Sequence, residues 1–431
     1  MFRTISNFMR VGDIRRKIIF TLLMLIVFRL GTFIPVPFTD KNAIEGIMGQ
    51  GDNVFGFLNT FGGGALQNFS IFAMGIMPYI TASIIMQLLQ MDVVPKFAEW
   101  KKQGEMGRKK LAQITRYGTV VLAFVQAIAM SVGFNAMAGG LLIADPNPLK
   151  FLIIALVLTS GTTFLMWLGE QITAHGVGNG ISILIFAGIV AAVPNGVQQL
   201  LALYFTNPGD ELFINIIIVV LIALVVVAVT VGVIFIQQAL RKIPIQYAKK
   251  LVNRSPVGGQ STHLPLKVNA AGVIPVIFAI AFIIAPRTIA GFFEGDIAST
   301  IGTIFDYTQP IGMVIYVALI IAFTYFYTFV QVNPEQMAEN LQKQGGYIPG
   351  IRPGKNTETY LTRVMYRLTF VGSIFLAAVS VLPIILGSLA NLPQAVQIGG
   401  TSLLIVVGVA LQTMKQLESQ LVKRHYKGFI K

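Results

Sequence analysis

The sequence predicts an all-α membrane protein with ten transmembrane helices. Ten apolar stretches follow one another along the chain, and each approaches the ~20 residues that a helix needs to cross a ~30 Å hydrocarbon core. Charged residues make up 12% of the 431 residues, against about 25% in soluble domains. The stretch 214–236 lacks the two-residue alternation of a barrel strand, so the spanning segments are predicted to be helices.

The predicted spans can be placed on the sequence by their apolar runs. They are residues 18–37, 69–90, 117–137, 151–168, 181–203, 213–236, 268–286, 311–332, 368–389 and 398–414. Only the first span contains a charged side chain, that of Arg29. The residues before it, 1–17, are polar and basic, unlike a cleavable signal peptide, so the first span is expected to remain as a membrane helix.

The spans divide equally between an N-terminal half, 1–205, and a C-terminal half, 206–431. Because each half has an odd number of spans, any structural duplication would be inverted, although the halves share no convincing sequence identity. Most of the 32 Lys and Arg residues lie in the two terminal segments and in alternate connections. The positive-inside rule therefore predicts that both termini face the cytoplasm.

Two cytoplasmic connections, 237–267 and 333–367, are longer than simple links between helices require. The first contains six basic residues and no acidic residue, and the second places Arg352 in a Pro/Gly-rich turn at 348–354. Such loops suit docking of ribosomal RNA through its phosphates or of an acidic protein surface. Attraction to anionic lipid is the alternative, and charge alone leaves both open.

The residues favour neither an enzyme nor a bound cofactor. Arg29 has no acidic partner within the spans, so a structural contact to backbone carbonyls is favoured over a proton relay. The chain has no cysteine, and His175, His263 and His425 fall in or beside cytoplasmic segments. Residues 350–356 superficially resemble a phosphate loop but lack its spacing. From the residues alone, a channel, a solute carrier and a structural scaffold remain as alternatives.

An apolar segment interrupted by glycines precedes span two. Residues 54–67 are too short to cross a membrane, so they form either an interfacial helix or a re-entrant one. Ile76 and Ile80 lie four residues apart, on one face of the predicted second helix. Contact with lipid is the ordinary explanation for that pair.

Several longer motifs resemble those of the SecY/Sec61-alpha family of protein-translocation channels. They are RLGTFIPVP at 29–37, IFAMGIMPYI at 71–80, WLGEQIT at 167–173, GNGISI at 178–183, STHLPLKVN at 261–269, PGIRPG at 349–354 and GGTSLLIV at 399–406. They occur in the expected order over nearly the whole chain. The resemblance implies a protein-conducting channel, not an enzyme, with two inverted five-helix halves around a central pore and a short re-entrant plug helix.

The resemblance also implies which residues line and close the pore. The implied pore ring consists of Ile76, Ile80, Ile181, Ile185, Ile274 and Ile405. Such a ring closes around a polypeptide without hydrogen-bonding to it and resists ions by dewetting. The implied plug is 55–66, with Phe57, Leu58, Phe61, Gly62, Gly63 and Gly64. Spans two and three against spans seven and eight would form a lateral gate. Thr81 and Asn269 are the implied polar contacts there, with hydrogen bonds inside each half as the alternative.

The implied partners act at the cytoplasmic loops and within the membrane. The SecA motor ATPase or the translating ribosome would dock at Arg352 and at a basic tip containing Arg241, Lys242, Lys249 and Lys250. Relatives often carry Arg at two of these positions, 242 and 250, and Lys cannot reproduce a bidentate contact. SecE and SecG would complete a heterotrimer. The implied activity is to pass unfolded, signal-sequence-bearing polypeptides across the bacterial plasma membrane and to release membrane spans sideways into lipid.

Overall fold

Helices that correspond to all ten predicted spans form the body of the molecule. The computed structural model describes residues 11–40, 43–44, 59–90, 94–143, 145–205, 212–247, 250–252, 255–257, 261–290, 295–390 and 399–427. The helices are α1 Gly12–Gly31, α2 Met77–Leu89, α3 Pro95–Lys102, α4 Glu105–Met137, α5 Pro148–His175, α6 Gly180–Phe205, α7 Leu212–Gln238, α8 Ile274–Ala290, α9 Asp296–Ile304, α10 Pro310–Gln331, α11 Pro334–Lys343, α12 Lys355–Ala390 and α13 Gly399–Lys427. Helices α3, α9 and α11 are short and lie in connections.

Within the described ranges, six helices are long and apolar enough to cross a membrane by length and composition. These are α4, α5, α6, α7, α10 and α12. Helix α1 carries several charged residues near its start, and the second half of α13 is polar. Helices α2 and α8 are apolar but shorter.

The predictions for spans two and seven were wrong at their starts. Helices were expected over 69–90 and 268–286, but α2 and α8 begin later, after irregular backbone. In both places a glycine with positive φ precedes the helix, Gly75 at 58° and Gly272 at 67°. A proline occupies the second position of each helix. An N–H group at this position makes no hydrogen bond within the helix, so a proline, which lacks the N–H, is tolerated there. The two halves thus start these helices with the same Gly-x-x-Pro sequence.

The two halves also repeat the same pattern of helix packing. In the N-terminal half, α1 packs against α5 and α6, α2 packs against α4, and α5 packs against α4 and α6. In the C-terminal half, α7 packs against α12 and α13, α8 packs against α10, and α12 packs against α10 and α13. These contacts are equivalent when the spanning helices of each half are counted in chain order. A five-helix unit therefore occurs twice, with the halves in contact where α6 meets α7 and α13.

The two large loops contain two small β-sheets that the sequence reasoning did not predict. The strands are β1 Leu240–Tyr247, β2 Lys250–Val252, β3 Ser255–Val257, β4 Ser261–Lys267 and β5 Gly346–Tyr347. Strand β1 lies between β4 and β5 and is antiparallel to both, while β2 pairs with β3. Because β5 comes from the second loop, the loops 237–267 and 333–367 are joined.

A separate apolar core stabilises this loop structure. Ile243 and Ile245 of β1 are 1% and 2% exposed, whereas the residues between and beside them are exposed, as the two-residue period of a strand requires. They pack in a cluster with Leu341 of α11 and Ile348 after β5. The two loops are therefore held together by side chains as well as by strand pairing.

Candidate functional site

The six isoleucines of the predicted ring lie in or against one apolar cluster to which both halves contribute. Ile76, Ile80, Ile185 and Ile405 are buried members of the cluster, while Ile181 and Ile274 are partly buried and pack against it. Phe61 and Ala65, from the segment before α2, belong to the same cluster. The structure thus places the six positions in one apolar region together with the segment predicted to be a plug. The ring itself stays a prediction.

Helix starts position four of these isoleucines. Ile76 is the N-cap residue of α2, and Ile274 is the first residue of α8, immediately after the glycine turns described above. Ile181 and Ile185 lie in the first turns of α6. The side-chain oxygen of Asn179 accepts a hydrogen bond from the backbone N–H of Ile181 at 3.1 Å, which satisfies a donor that the helix itself cannot.

The segment 59–76 is the described part of the predicted plug together with its continuation to α2; we call it the plug segment. Phe57 and Leu58 were also predicted to belong to the plug, but they lie outside the described residues. Residues 59–61 are helical and turns follow. Gly63 and Gly64 have φ values of 67° and 87°, a conformation that glycine adopts without steric cost.

Three glycines on three different helices leave room for the plug segment. A Cβ atom on Gly31 of α1 would lie 2.0 Å from the Phe72 ring. A Cβ atom on Gly161 of α5 would lie 1.9 Å from the carbonyl oxygen of Ile71. A Cβ atom on Gly188 of α6 would lie 2.5 Å from the carbonyl oxygen of Phe61. These glycines form a seat, because only a residue without a side chain permits such close approach.

Arg29 also contacts the plug segment. Its guanidinium Nη1 donates a hydrogen bond to the carbonyl oxygen of Gly63, and its Cζ lies 4.8 Å from the centroid of the Phe33 ring. The structural contact to a backbone carbonyl that the sequence favoured is therefore confirmed. The sequence did not indicate that the carbonyl belongs to the predicted plug.

The two residues predicted at the lateral gate make local hydrogen bonds. The Thr81 hydroxyl donates to the Met77 carbonyl of its own helix at 3.1 Å. The Asn269 side-chain amide donates to the Gly272 carbonyl at 3.0 Å, and its Oδ1 is buried without a hydrogen-bond donor among the described residues. These bonds match the alternative in which each residue bonds within its own half. A role for either residue at a gate remains a prediction.

The predicted docking residues are exposed wherever their side chains are described. Arg241, Lys242 and Arg352 are exposed, while Lys249 lies outside the described residues and only the backbone of Lys250, in β2, is described. The turn around Arg352 is built on positive φ values at 350 and 354. The hydroxyl of Thr357 donates to the Arg352 carbonyl at 3.0 Å, which fixes the backbone and leaves the guanidinium exposed.

The candidate site is an apolar cluster in which both halves meet the plug segment. In the part of the chain that is described, no group of three or more His, Cys, Asp or Glu side chains is placed to hold a metal ion. Sequence reasoning missed Gly31, Gly161 and Gly188. Glycine inside a spanning helix is a general signal of close packing, but it does not identify the segment that packs there.

The model of the SecY family matches residues 70–414. The chain belongs to the SecY family. A relative named protein translocase subunit SecY, from Halalkalibacterium halodurans, is 69% identical over 433 residues that cover 100% of both chains. The predicted resemblance to this family is therefore confirmed.

Solved structures of SecY-type channels share the fold. A structure described as the plug domain of SecY stabilising the closed state of the translocation channel is 21% identical, with a TM-score of 0.65 over 97% of this chain and 95% of that one. Sec61 in the canine ribosome-channel complex is 20% identical, with a TM-score of 0.60 over the same shares. The predicted fold class is confirmed, and the chain is a multi-pass membrane protein.

Proposed function

We propose that this chain is the protein-conducting channel of a protein translocase, a pore without enzymatic activity. The observation that carries the proposal is the apolar cluster shared by both halves, against which a glycine-seated plug segment packs. A translocating polypeptide requires a passage that can open widely and then close again. A segment of turns that is bound to the helices by noncovalent contacts can leave and return without unfolding them.

The six isoleucines then act as the pore ring. Their branched side chains close the passage at rest and close around a polypeptide during transport. They offer no hydrogen bond, so an unfolded secretory chain can slide past them. The apolar constriction also hinders the passage of ions, because it excludes the water that hydrates them.

The lateral gate lies between α2 and α4 on one side and α8 and α10 on the other. The packing of α6 against α7 and α13 is the natural hinge, since it connects the halves 1–205 and 206–431. Opening opposite this hinge would let a signal sequence or membrane span pass into lipid. Thr81 and Asn269 are the polar residues proposed to adjust the stability of the closed gate.

The joined cytoplasmic loops are the docking surface for the partners that supply energy. With both termini in the cytoplasm of a bacterial cell, Arg241, Lys242 and Arg352 face SecA or the ribosome and its RNA. The canine Sec61 neighbour, which is solved in a ribosome-channel complex, supports the ribosome as a partner. Lys249 and Lys250 extend the same basic tip in the sequence.

SecE and SecG are the proposed membrane partners of the channel. Helix α7 supports this role because its large apolar side chains are mostly exposed, including Phe213 at 74% and Phe235 at 73%. An apolar helix surface of this kind fits a neighbouring transmembrane helix or lipid. Neither Phe213 nor Phe235 belongs to the apolar cluster that contains the ring isoleucines.

Cross-linking of a stalled secretory polypeptide tests the central passage. The natural chain has no cysteine, so a single cysteine at Ile181 or Ile405 would carry the only thiol. We expect a stalled chain bearing a cross-linker to react at these positions. A cysteine at Leu224, which is 65% exposed on α7, is the control and should not react. An active channel that reacts at Leu224 but at neither ring position would refute the proposed route.

A further inference from the structure

Arg29 is the one charged residue inside the predicted spans, and its contacts are unusual for that location. It lies in the last turn of α1, where its guanidinium donates to the Gly63 carbonyl and faces the Phe33 ring. Among the described residues, no carboxylate forms an ion pair with it. A guanidinium in an apolar region must have hydrogen-bond acceptors, since an unpaired charge there is strongly unfavourable.

We infer that Arg29 is a latch that holds the tip of the plug segment in the closed channel, an inference that rests on the proposed function. The tip, 59–65, contains the acceptor carbonyl of Gly63 and the buried side chain of Ala65. If the tip moves away, the guanidinium loses this acceptor while remaining in an apolar environment. The closed position is therefore favoured by the side chain of Arg29.

The C-terminal part of the plug segment is bound by other hydrogen bonds, so Arg29 holds only the tip. The backbone N–H of Val36 donates to the Phe69 carbonyl at 3.0 Å, and the N–H of Ile71 donates to the Ile34 carbonyl at 3.0 Å. These bonds tie the C-terminal part of the segment to the chain that follows α1. The tip can thus leave while the C-terminal part of the plug segment stays bound. Within the plug segment, Arg29 contacts the part that moves.

A carbonyl is a suitable acceptor for a latch that must open repeatedly. A hydrogen bond with one charged partner is stronger than a neutral one, so it favours the closed state measurably. A buried ion pair with a carboxylate would leave two charges unpaired on opening, and breaking such pairs is strongly destabilising. The glycine conformation at Gly63, with φ at 67°, lets the backbone present this oxygen without a side chain beside it.

Labelling of a buried cysteine measures the latch directly. Ala65 is 0% exposed in the plug segment, and Ala123 is 0% exposed in α4 within a different apolar cluster. Each is replaced by cysteine in a separate full-length channel and treated with a membrane-impermeant maleimide. We expect Arg29→Gln to raise the labelling rate of Ala65→Cys by about tenfold or more, as loss of a charged hydrogen bond predicts, and to leave Ala123→Cys unchanged.

Two further variants separate the charge at this site from charge in general. Arg29→Lys keeps a cationic donor, so its labelling rate should return towards that of the parent channel. Arg16→Gln removes an exposed charge from the same helix and should have no effect. Equal labelling rates at Ala65→Cys with and without Arg29→Gln overturn the latch, and so does equal acceleration of both cysteine probes.

The same probe separates failure of the latch from failure of the proposed function. In a channel that retains Arg29, a stalled signal-sequence-bearing polypeptide should accelerate labelling of Ala65→Cys, because the plug must move. If it does so while Arg29→Gln has no effect at rest, the latch alone is wrong. If the stalled polypeptide has no effect, the plug is wrong and the latch falls with it.

Discussion

Replacement of Gly188 by alanine should weaken the closed state of the channel. The added Cβ would lie 2.5 Å from the Phe61 carbonyl oxygen and 3.2 Å from the Gly63 nitrogen. Both are backbone atoms of the plug segment, so no flexible side chain can rotate away. The plug backbone must move by about 0.9 Å before the contact with the Phe61 carbonyl oxygen becomes an ordinary one. Overpacking of this kind costs about 1–3 kcal/mol.

This cost applies only while the plug segment is seated. Alanine favours the helix over glycine by about 1 kcal/mol, but α6 is a helix in both states, so that gain cancels. The equilibrium between the seated and displaced plug should therefore shift by about 5- to 150-fold. Resting ion conductance in planar bilayers reports the displaced fraction and should rise accordingly. A bulkier Gly188→Val should raise it further.

The matched control is Gly118→Ala, another glycine within a spanning helix. A Cβ on Gly118 meets nothing within 4 Å, so this variant should conduct at rest like the parent channel. Thermal unfolding of both variants shows whether either one fails to fold. If folded Gly188→Ala has the same resting conductance as Gly118→Ala, the close approach of α6 to the plug segment does not control closure.

Three further perturbations test the ring and the docking surface. Serine at several of the six ring isoleucines should raise resting ion conductance, because hydroxyls hydrate the constriction; unaltered conductance counts against the ring. Arg352→Glu should impair SecA-driven translocation but not membrane insertion of the channel. Lys355 is another exposed basic residue of this loop, and Lys355→Glu should have a smaller effect. Full translocation activity of Arg352→Glu would refute the proposed role of Arg352 in coupling. Ile245→Ala should destabilise the loop core by about 2–5 kcal/mol, measured as faster hydrogen exchange of β1, and should weaken SecA binding in a separate binding assay. His263→Ala, at an exposed position of β4, should do neither, and intact exchange protection in Ile245→Ala would contradict the shared core.

The ten helices could be predicted because their signal is local and strong. Each apolar run is set by the thickness of the membrane, and the sequence marks it without reference to any other part of the chain. The starts of α2 and α8 could not be predicted in this way. Residues 69–76 and 268–273 are apolar enough for a helix, but the glycines at 75 and 272 adopt left-handed backbone, which hydropathy does not report.

The features missed by sequence reasoning depend on contacts between distant segments. Strand β5 pairs with β1 only because the two loops meet in space, and two residues are too few to carry a strand pattern of their own. The seat of the plug segment requires glycines from α1, α5 and α6 to approach the same segment. The resemblance to the SecY family supplied the candidate ring and plug, but not the contacts of Arg29 or Gly188.

The inverted plan of the two halves would place the proposed plug and the proposed docking surface on opposite faces of the membrane. In the N-terminal half, the connection between the first and second spanning helices, 32–76, contains the plug segment. In the C-terminal half, the equivalent connection between α7 and α8, 239–273, contains β1 to β4. Both connections end in the same Gly-x-x-Pro start, at Gly75 and Gly272. Because five helices invert the second unit, we expect one connection to close the passage from outside and the other to receive the partner proposed to drive transport.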